Sequence, residues 1–444
     1  MTWQEEYKRR LTSAEEALKV IRSGDRVVIP IGCNPQALGD TLAGRMDELS
    51  GVEVAHTATG WPYIWLQPGL DGPFNVVHEH WASPLAAEAF KGRHHDFLPA
   101  PFSLRFKGAE TGRVPSEERA PDVVMVQVTP PDENGMVNLG PHLWNQKEYI
   151  ARARCTLAEV SNRIPRCHGD TDLPVNAFTH FVEFDSPSLA ARHLRPGAAV
   201  QAIAQYVGEL VQDGDTLQIG GGSTSFGVAY CQPFDDKLDL GWHAEITPSP
   251  IIRLVRNGVM TGNRKSVDQG KAVSCGIVGD EEDWSYLLGN PAFELQSCSY
   301  VLDPRNVAAN DNMLAINAAL MVDLTGQIAS ESLGPTMISG TGGLLEVVIG
   351  TLWSRGGRSI TVLPSTNPSP DESQQKTSTR IVPLLPEGTV VSVPRLLADI
   401  VVTEHGVARL LGKTIRERAD ELIAVADPDH RAELKAAAQR LLYP

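Results

Sequence analysis

The chain has 444 residues, 42% hydrophobic and 21% charged, which is typical of a globular protein with more than one hydrophobic core. Its formal net charge of −15 argues against nucleic acid or an anionic membrane surface as a partner. No apolar run approaches the roughly 20 residues that a membrane-spanning helix needs, and no secretory signal is visible. We therefore expect two domains and a cytoplasmic location.

In chain order, the first feature is a pattern that occurs twice and indicates an internal duplication. A helical pattern over residues 14–22 leads into a turn at Gly24, an apolar strand and then Gly32. A second helical pattern over residues 202–211 leads into a turn at Gly214, a strand and then Gly222. The spacing between the two glycines is the same in both copies. Shared order and spacing favour a duplicated unit over a chance match.

The residues between the two copies predict a domain boundary. Proline, glycine and serine near 185–198 are typical of a connecting segment, so we predict domains at 1–186 and 195–444. Apolar runs alternate with helical stretches in both, which predicts two similar α/β domains with largely parallel sheets covered by helices. The strands predicted from these runs are 122–128, 156–160, 359–363 and 389–393. Farther on, 366–379 predicts a surface loop, and 415–423 and 428–442 predict charged helices with a solvated outer face.

A carboxylate, Glu245, is predicted at the end of a strand. The run 238–242 favours a strand that ends at 243–245, because Pro248 and Pro250 follow. Ligands of α/β sheets bind at the carboxyl ends of the strands. Such a glutamate is more often a solvated surface group. Here, however, two glycine-rich loops flank it in sequence, and exposed backbone N–H groups beside a carboxylate suit acyl transfer. The loops are Gly220-Gly221-Gly222 and Gly340-Thr341-Gly342-Gly343.

Metal binding is not expected. The six cysteines form no C-x-x-C pair and no zinc spacing, which favours reduced thiols. His78-Glu79-His80 and His94-His95 lack a supporting set of ligands.

Several ordered motifs resemble one family along nearly the whole chain. In the first half they are 126–135, 158–162 and 165–170; in the second they are 238–245, 310–317, 323–327, 339–343, 379–383 and 401–407. These residues resemble the acetyl-CoA hydrolase/CoA-transferase family, in the branch that includes 4-hydroxybutyrate and butyrate:acetate CoA-transferases. The resemblance implies a CoA-transferase fold, acyl-CoA and a small carboxylate as substrates, no permanently bound cofactor, and, by analogy of fold, a homodimer.

The resemblance also implies a chemistry and its residues. The family's His-x-Glu maps onto His243-Ala244-Glu245, which makes Glu245 the nucleophile that forms an acyl anhydride and then a glutamyl-CoA thioester. Backbone N–H groups at positions that match Gly221 and Gly342 would hold the oxyanion. Gly220, Gly222, Gly340 and Gly343 would complete the loops that bind the CoA ester, since glycine permits close approach of a ligand.

Departures from the family cluster at positions that could face the acyl group or the pantetheine arm. Leu302 and Ala329 stand where relatives often carry Asn, and Pro368 replaces an expected lysine. The segment 61–81 is rich in aromatic residues, which predicts either core packing or a wall that favours a bulky acyl group. Arg264-Lys265 is the candidate cationic pair for the CoA phosphates, and an exposed loop is the alternative.

Two other functions remain open from the sequence. An acyl-CoA hydrolase on the same fold would differ only in the access of water to one bond. A CoA-binding module without catalysis is less favoured, because Glu245 is present.

Overall fold

The computed structural model describes residues 1–56, 61–67, 72–79, 95–107, 120–186, 194–340, 342–367 and 378–443. The α-helices are α1 Trp3–Arg10, α2 Ala14–Ala17, α3 Gln36–Ala43, α4 Gln146–Arg152, α5 Ala198–Leu210, α6 Ser223–Tyr230, α7 Ser249–Arg256, α8 Glu281–Leu287, α9 Cys298–Val301, α10 Pro304–Ala308, α11 Leu344–Trp353, α12 Ile415–Val425 and α13 Arg431–Leu441.

The strands alternate with these helices through most of the chain. They are β1 Arg26–Ile29, β2 Glu53–His56, β3 Asn75–His78, β4 His95–Phe97, β5 Val123–Val128, β6 Met136–Asn138, β7 Cys155–Val160, β8 Asp172–Pro174, β9 His180–Glu183, β10 Thr216–Ile219, β11 Gly241–Pro248, β12 Ala272–Val278, β13 Phe293–Leu295, β14 Met313–Ala318, β15 Met321–Asp323, β16 Ile328–Ala329, β17 Ser332–Leu333, β18 Thr336–Met337, β19 Arg358–Val362, β20 Thr366–Asn367, β21 Ser378–Thr379, β22 Ile381–Val382, β23 Ile400–Thr403 and β24 Gly406–Arg409.

The chain divides into two compact units. The first comprises Met1–Ala191 and Val273–Val301, and the second comprises Arg192–Ala272 and Leu302–Pro444. The division expected from the sequence, 1–186 and 195–444, differs in one respect, because Val273–Val301 returns to the first unit. A composition change marks where a chain leaves a unit, but a short return leaves no such mark. Whether the two predicted segments fold independently stays a prediction.

The first unit is built on a parallel sheet. Its strand order is β4-β3-β2-β1-β5-β7-β9, and every neighbouring pair is parallel. The interior strand β5 is nearly all apolar and buried, as expected for a strand covered on both faces. Helix α3 follows β1, and the carboxylate of Glu159 on β7 accepts hydrogen bonds from the first N–H groups of this helix, those of Gln36, Ala37 and Leu38.

The second unit contains the run of strands β11-β10-β14-β19-β23-β24, parallel up to β23 and antiparallel at β24. Helices α12 and α13 pack Leu422 and Leu434 into an apolar core beside this run. Each of these charged helices therefore has a buried apolar face besides its solvated outer one. The fold class predicted from the sequence, two α/β units with largely parallel sheets and covering helices, is confirmed.

The two units repeat one arrangement at their centres. β1 lies between β2 and β5, and β10 lies between β11 and β14, with all four contacts parallel. The turns that precede β1 and β10 both place glycine in the left-handed region, Gly24 at φ +84° and Gly214 at φ +81°. These matching features support the duplication inferred from the sequence.

Three of the four strands predicted from apolar runs are present. The strands expected at 122–128, 156–160 and 359–363 form as β5, β7 and β19. The strand expected at 389–393 is wrong: only Val393 forms an isolated bridge, with Ile328, and Val390 and Val391 are each 40% exposed. The expected loop 366–379 begins and ends in the paired strands β20 and β21, and residues 368–377 between them lie outside the described residues.

Candidate functional site

Glu245 lies on β11, and this strand differs from the sequence prediction. Leu238 is 64% exposed and Asp239 has φ +54°, so the strand begins only at Gly241 and continues through Glu245 to Pro248. The prediction of a strand at 238–242 that ends at 243–245 is therefore wrong. Pro248 is tolerated because β10 ends at Ile219, so no β10 residue lies opposite the proline.

The register still places Glu245 at the carboxyl edge of the neighbouring strands. β10 pairs with β11 at Thr216–Gly241 and Leu217–Trp242. Counting on from these pairs sets Glu245 level with Gly220, one residue beyond the end of β10. This edge is where parallel α/β sheets bind ligands.

The carboxyl group of Glu245 contacts the start of helix α11. The backbone N–H of Gly343, the residue that precedes α11, donates a 2.8 Å hydrogen bond to Oε1 of Glu245. The side chain is partly exposed, so a ligand can reach it. The helix also presents the positive end of its dipole to the carboxylate. The Glu245 carboxylate is therefore held by a hydrogen bond and is also accessible to a ligand.

Burial nevertheless dominates the acidity of Glu245. Desolvation raises the pKa of its carboxyl to about 7; the Gly343 hydrogen bond opposes this shift, and the negative charge of Glu346 adds to it. Glu346 lies in the first turn of α11 and is only 6% exposed. A carboxylate poised near neutral pH at a sheet edge is a feature of functional sites.

Close packing explains why Gly343 is glycine. A Cβ added there would lie 2.8 and 2.9 Å from the two terminal methyl carbons of Leu302 and 3.0 Å from Oε1 of Glu245. Gly342, the preceding residue, has φ +56°, a conformation that most side chains disfavour. The two glycines are therefore required by the geometry of the turn that brings α11 to Glu245. Thr341 lies outside the described residues.

The three glycines of the other loop have different environments. A Cβ on Gly220 would lie 2.2 Å from Oδ1 of Asn317, and one on Gly222 would lie 2.7 Å from Cβ of Ala318. Gly221 between them is exposed and has no atom within 4 Å of such a Cβ. The outer glycines thus let the loop lie against the end of β14, while Gly221 faces open space.

The structure brings some of the predicted site residues together. Gly343 touches Glu245 directly, with Gly342 next to it, and Gly220 is level with Glu245 on the adjoining strand. Gly340 is buried just before residue 341. The sequence interpretation gave no role to Glu346 or Asn317. An acidic residue three positions after Gly343 is an ordinary signal for a helix start, and only its burial beside Glu245 marks it as part of the site.

The cationic pair proposed for CoA phosphates has another role at one of its two positions. Lys265 is 4% exposed, and its ammonium donates 3.0 Å hydrogen bonds to the carbonyls of Trp242 and Lys271. It ties the neighbouring loop to β11. The guanidinium of Arg264 packs against Gly214, where an added Cβ would lie 2.5 Å from Cζ. Lys265 is therefore a buried structural lysine and no surface cation.

The aromatic segment contributes to the core of the first unit. Tyr63 is fully buried, Trp65 is 2% exposed, and their rings stack at 4.6 Å. Trp61 is partly exposed and donates through its indole nitrogen to Asp40. For Tyr63 and Trp65 the core-packing interpretation holds. His80 and Trp81 lie outside the described residues.

Two other features are absent from the described ranges. No helix there is long and apolar enough to cross a membrane. Nor do three or more His, Cys, Asp or Glu side chains gather there in a way that could hold a metal ion.

Comparisons with known proteins identify the family of the chain. Residues 1–191 match the sequence model of the acetyl-CoA hydrolase/transferase N-terminal domain, and residues 279–438 match that of the C-terminal domain. The succinyl-CoA:cyclohexane-1-carboxylate CoA transferase of Geobacter metallireducens is 34% identical over 442 residues, which cover 99% of this chain and 97% of that protein.

Other relatives match over the same length. The 4-hydroxybutyrate coenzyme A transferase of Clostridium kluyveri is 33% identical over 98% of both chains. The crystal structure of RipA from Yersinia pestis superposes with a TM-score of 0.89 at 29% identity and covers both chains completely. Two domain matches in the expected order and full-length relatives above 30% identity lead to one conclusion: the chain belongs to the acetyl-CoA hydrolase/transferase family.

Proposed function

We propose that the protein is an acyl-CoA:carboxylate CoA-transferase and that Glu245 is its nucleophile. The observation that carries the proposal is the partly exposed Glu245 carboxyl at the sheet edge, held by the N–H of Gly343. The curated relatives that match the whole chain are named as CoA-transferases, which supports transfer of CoA between an acyl-CoA and a carboxylic acid.

The reaction proceeds in two reversible halves. The ionised carboxylate of Glu245 attacks the thioester carbonyl carbon, the C–S bond breaks, and CoA leaves as a thiolate, which yields an acyl–glutamyl anhydride. The thiolate then attacks the glutamyl carbonyl of the anhydride and releases the first acid as a carboxylate. The glutamyl-CoA thioester that remains reacts with the second acid by the same steps in reverse order. Covalent catalysis thus replaces direct attack of one acid on the thioester of another.

The glycine loops stabilise the tetrahedral intermediates in this proposal. Each attack converts a carbonyl oxygen into an oxyanion, which needs hydrogen-bond donors already in place. Gly221 faces open space and follows Gly220, which is level with Glu245 on the adjoining strand. Gly342 lies in the turn beside Gly343. The backbone N–H groups of Gly221 and Gly342 are therefore the proposed donors. The other glycines, Gly220, Gly222, Gly340 and Gly343, complete the two loops that we propose bind the CoA ester. At Gly220, Gly222 and Gly343 the space of a side chain is filled by neighbouring residues, so these three shape the loops rather than face the ester.

The acidity of Glu245 suits this role. Attack needs the carboxylate, and with a pKa of about 7 the group is largely ionised at mildly alkaline pH. A carboxylate of raised pKa is also more nucleophilic than an ordinary one. Burial therefore makes the ionised carboxylate more reactive, and it confines this form to pH values near and above about 7.

Hydrolysis of acyl-CoA is the second candidate activity. The family's description includes hydrolases, and the partial exposure of Glu245 would admit water to the anhydride or to the glutamyl thioester. A single assay separates the two activities. The protein is incubated with an acyl-CoA and a panel of carboxylic acids, and new acyl-CoA and free CoA are measured in parallel. Transferase activity requires new acyl-CoA that depends on the acceptor; release of free CoA alone would indicate a hydrolase.

Three further expectations remain proposals. We propose a homodimer, by analogy with the fold, and a cytoplasmic location, which is in keeping with six cysteines that form no disulfide. We also propose that CoA is only a substrate and that no cofactor stays bound between turnovers. Size-exclusion chromatography with light scattering tests the first, and native mass spectrometry of the purified protein tests the last.

A further inference from the structure

Two buried amide side chains lie beneath the glycine loop that follows β10. The Nε2 group of Gln218 donates to Oδ1 of Asn317 at 3.2 Å, and Nδ2 of Asn317 donates back to Oε1 of Gln218 at 3.0 Å. Gln218 is 1% exposed and Asn317 is 6% exposed. Each amide thus supplies both a donor and an acceptor to the other.

The strand register explains how the two side chains meet. Gln218 on β10 lies opposite Ala315 on β14, and Asn317 is two residues farther along on the same face. The pair therefore bridges the two central strands of the second unit at their carboxyl ends. This is the edge at which Gly220 is level with Glu245.

The pair also supports the loop directly. Oδ1 of Asn317 would lie 2.2 Å from a Cβ on Gly220, so the amide fills the space that a side chain at this position would take. The N–H of Gly220 donates to the carbonyl of Ile316 at 2.9 Å. The hydroxyl of Ser225 donates to the carbonyls of Gly220 and Gly222 at 2.7 and 3.1 Å. The residues on both sides of Gly221 are therefore fixed, while Gly221 itself is open.

Packing alone does not require amides here. Replacing both partners of a buried hydrogen bond by apolar groups of the same shape is nearly neutral for stability, whereas removal of one partner is costly. An apolar pair would fill the same space, but the two side chains could shift more freely relative to each other, because dispersion attraction is not directional. A reciprocal amide pair fixes one relative position of the two side chains.

We propose that Gln218 and Asn317 are positioning residues. They fix the position of Gly220 relative to β14 and thereby direct the N–H of Gly221 toward the oxyanion. This inference rests on the proposed donor role of Gly221 and deepens it. Neither side chain is assigned a contact with the substrate. Their effect on turnover is exerted through the backbone of residues 220–222.

The test replaces both amides by apolar groups of similar shape, Gln218→Met together with Asn317→Leu. We expect the melting temperature to stay within about 3 °C of wild type, since no buried polar group loses its partner. Turnover should fall about tenfold or more, because loss of a whole oxyanion donor costs about 10²–10³ in kcat. KM for the acyl-CoA should change much less. Hydrogen–deuterium exchange of the peptide that contains residues 220–223 should become faster.

Two further variants complete the design. Gln218→Asn with Asn317→Gln keeps an amide pair of the same total length and should recover part of the lost kcat. Asn310→Ala is the matched control, because Asn310 is a buried amide near the opposite end of β14 that accepts a hydrogen bond from Val267. It should lower the melting temperature and leave kcat unchanged. If the apolar double variant does not fold, Asn317→Asp, which replaces one donor by an acceptor, takes its place.

The outcomes are distinguishable from those that test the proposed function. A wild-type protein that forms no new acyl-CoA refutes the transferase proposal whatever the variants do. With an active wild type, unchanged kcat in the double variant overturns the positioning role. A loss of kcat without faster exchange at 220–223 overturns it as well, because the loss would not act through the loop. Lower kcat with faster exchange and preserved stability supports it.

Discussion

The backbone N–H of Gly343 lies 2.8 Å from Oε1 of Glu245, and it is the donor at the start of helix α11. This contact joins residues 98 positions apart in the chain. It holds the carboxylate in one place before a substrate arrives, which lowers the entropy lost on reaching the attacking geometry. In the proposed mechanism the Glu245 carboxylate becomes an anhydride or thioester carbonyl, and the same N–H would remain beside the reacting carbon.

The covalent intermediate gives the first prediction. Incubation with an acyl-CoA in the absence of an acceptor should leave CoA thioesterified to Glu245, because the second half-reaction lacks its acid. Intact mass spectrometry should show the CoA adduct, and borohydride reduction followed by peptide mapping should locate it. An adduct on another residue, or none from a demonstrated substrate in a single turnover, would contradict the nucleophile assignment.

Removal of the carboxylate gives the second prediction. Glu245→Ala should abolish transfer and leave the Kd for an acyl-CoA within roughly tenfold of wild type, about 1.4 kcal/mol. The reason is that the carboxylate acts in the chemical steps, whereas a CoA ester makes most of its contacts elsewhere. Glu433→Ala, at an exposed position of α13, is the control and should be fully active. Measurable turnover in Glu245→Ala after removal of contaminating wild type would exclude Glu245 as nucleophile.

The turn before α11 gives the third prediction. Gly342→Val should cut turnover severely, because a branched side chain disfavours φ +56° and would move the N–H donor. Gly342→Asn tolerates this φ and should fold better, yet it should still lose activity, since its side chain crowds the thioester. Gly258→Asn is the control, at a glycine of φ +74° with no atom near a Cβ. A change in turnover below about tenfold in Gly342→Val would make Gly342 a structural turn only.

The pH dependence gives the fourth prediction. Because burial raises the pKa of Glu245 to about 7, the carboxylate needed for attack is present above this pH and is lost below it. The value of kcat/KM should therefore fall about tenfold per pH unit below about pH 6 and level off above about pH 8. Glu346→Gln removes a negative charge that raises this pKa and should shift the acidic limb to lower pH. Glu433→Gln should not shift it, and equal shifts in both variants would contradict the assignment.

Acceptor size gives the fifth prediction. Leu302 and Ala329 are fully buried apolar residues at positions where relatives often carry Asn, and Leu302 packs against Gly343. Acetate should therefore be a poorer acceptor than acids of four or more carbons. The preference should be graded, since one methylene in an apolar pocket is worth about 1–3 kcal/mol. Values of kcat/KM for acetate, butyrate and a five-carbon dicarboxylate decide the matter, and equal or better use of acetate would contradict it.

Local pattern predicted the strands whose burial is uniform. Residues 122–128 form an unbroken apolar run, and β5 is buried along nearly its whole length, so sequence and structure agree. Residues 389–393 have a similar branched composition, but only Val393 pairs with a strand, at Ile328 of β16, and Val390 and Val391 remain 40% exposed. A branched composition therefore favours a strand only where the rest of the chain provides a sheet for it to join.

The residues of the proposed site could be named from the sequence, whereas their arrangement could be predicted only in part. The resemblance pointed to Glu245 and to both glycine loops, but the contact of Gly343 with Glu245 depends on a long-range approach that no local pattern encodes. Lys265 looked like a surface cation, and its burial under β11 follows from the path of the loop around it. The sequence did not identify Gln218 and Asn317, because the role of an amide within an apolar run cannot be assigned until its hydrogen-bond partner is known.

The matching centres of the two units bear on how many reactive carboxylates one chain carries. Thr216 pairs with Gly241 in the second unit as Arg26 pairs with Glu53 in the first. By sequence count alone, the counterpart of Glu245 is Thr57, which is not a carboxylate and lies outside the described residues. The helix after β1 has its first N–H groups occupied by Glu159, whereas α6 after β10 has no side-chain cap. In the first unit, the protein's own Glu159 occupies the start of α3, where an anion could otherwise bind. The start of α6 in the second unit has no such side chain. The polypeptide is therefore one enzyme built from two related halves, and saturating acyl-CoA should load a single equivalent of CoA per chain.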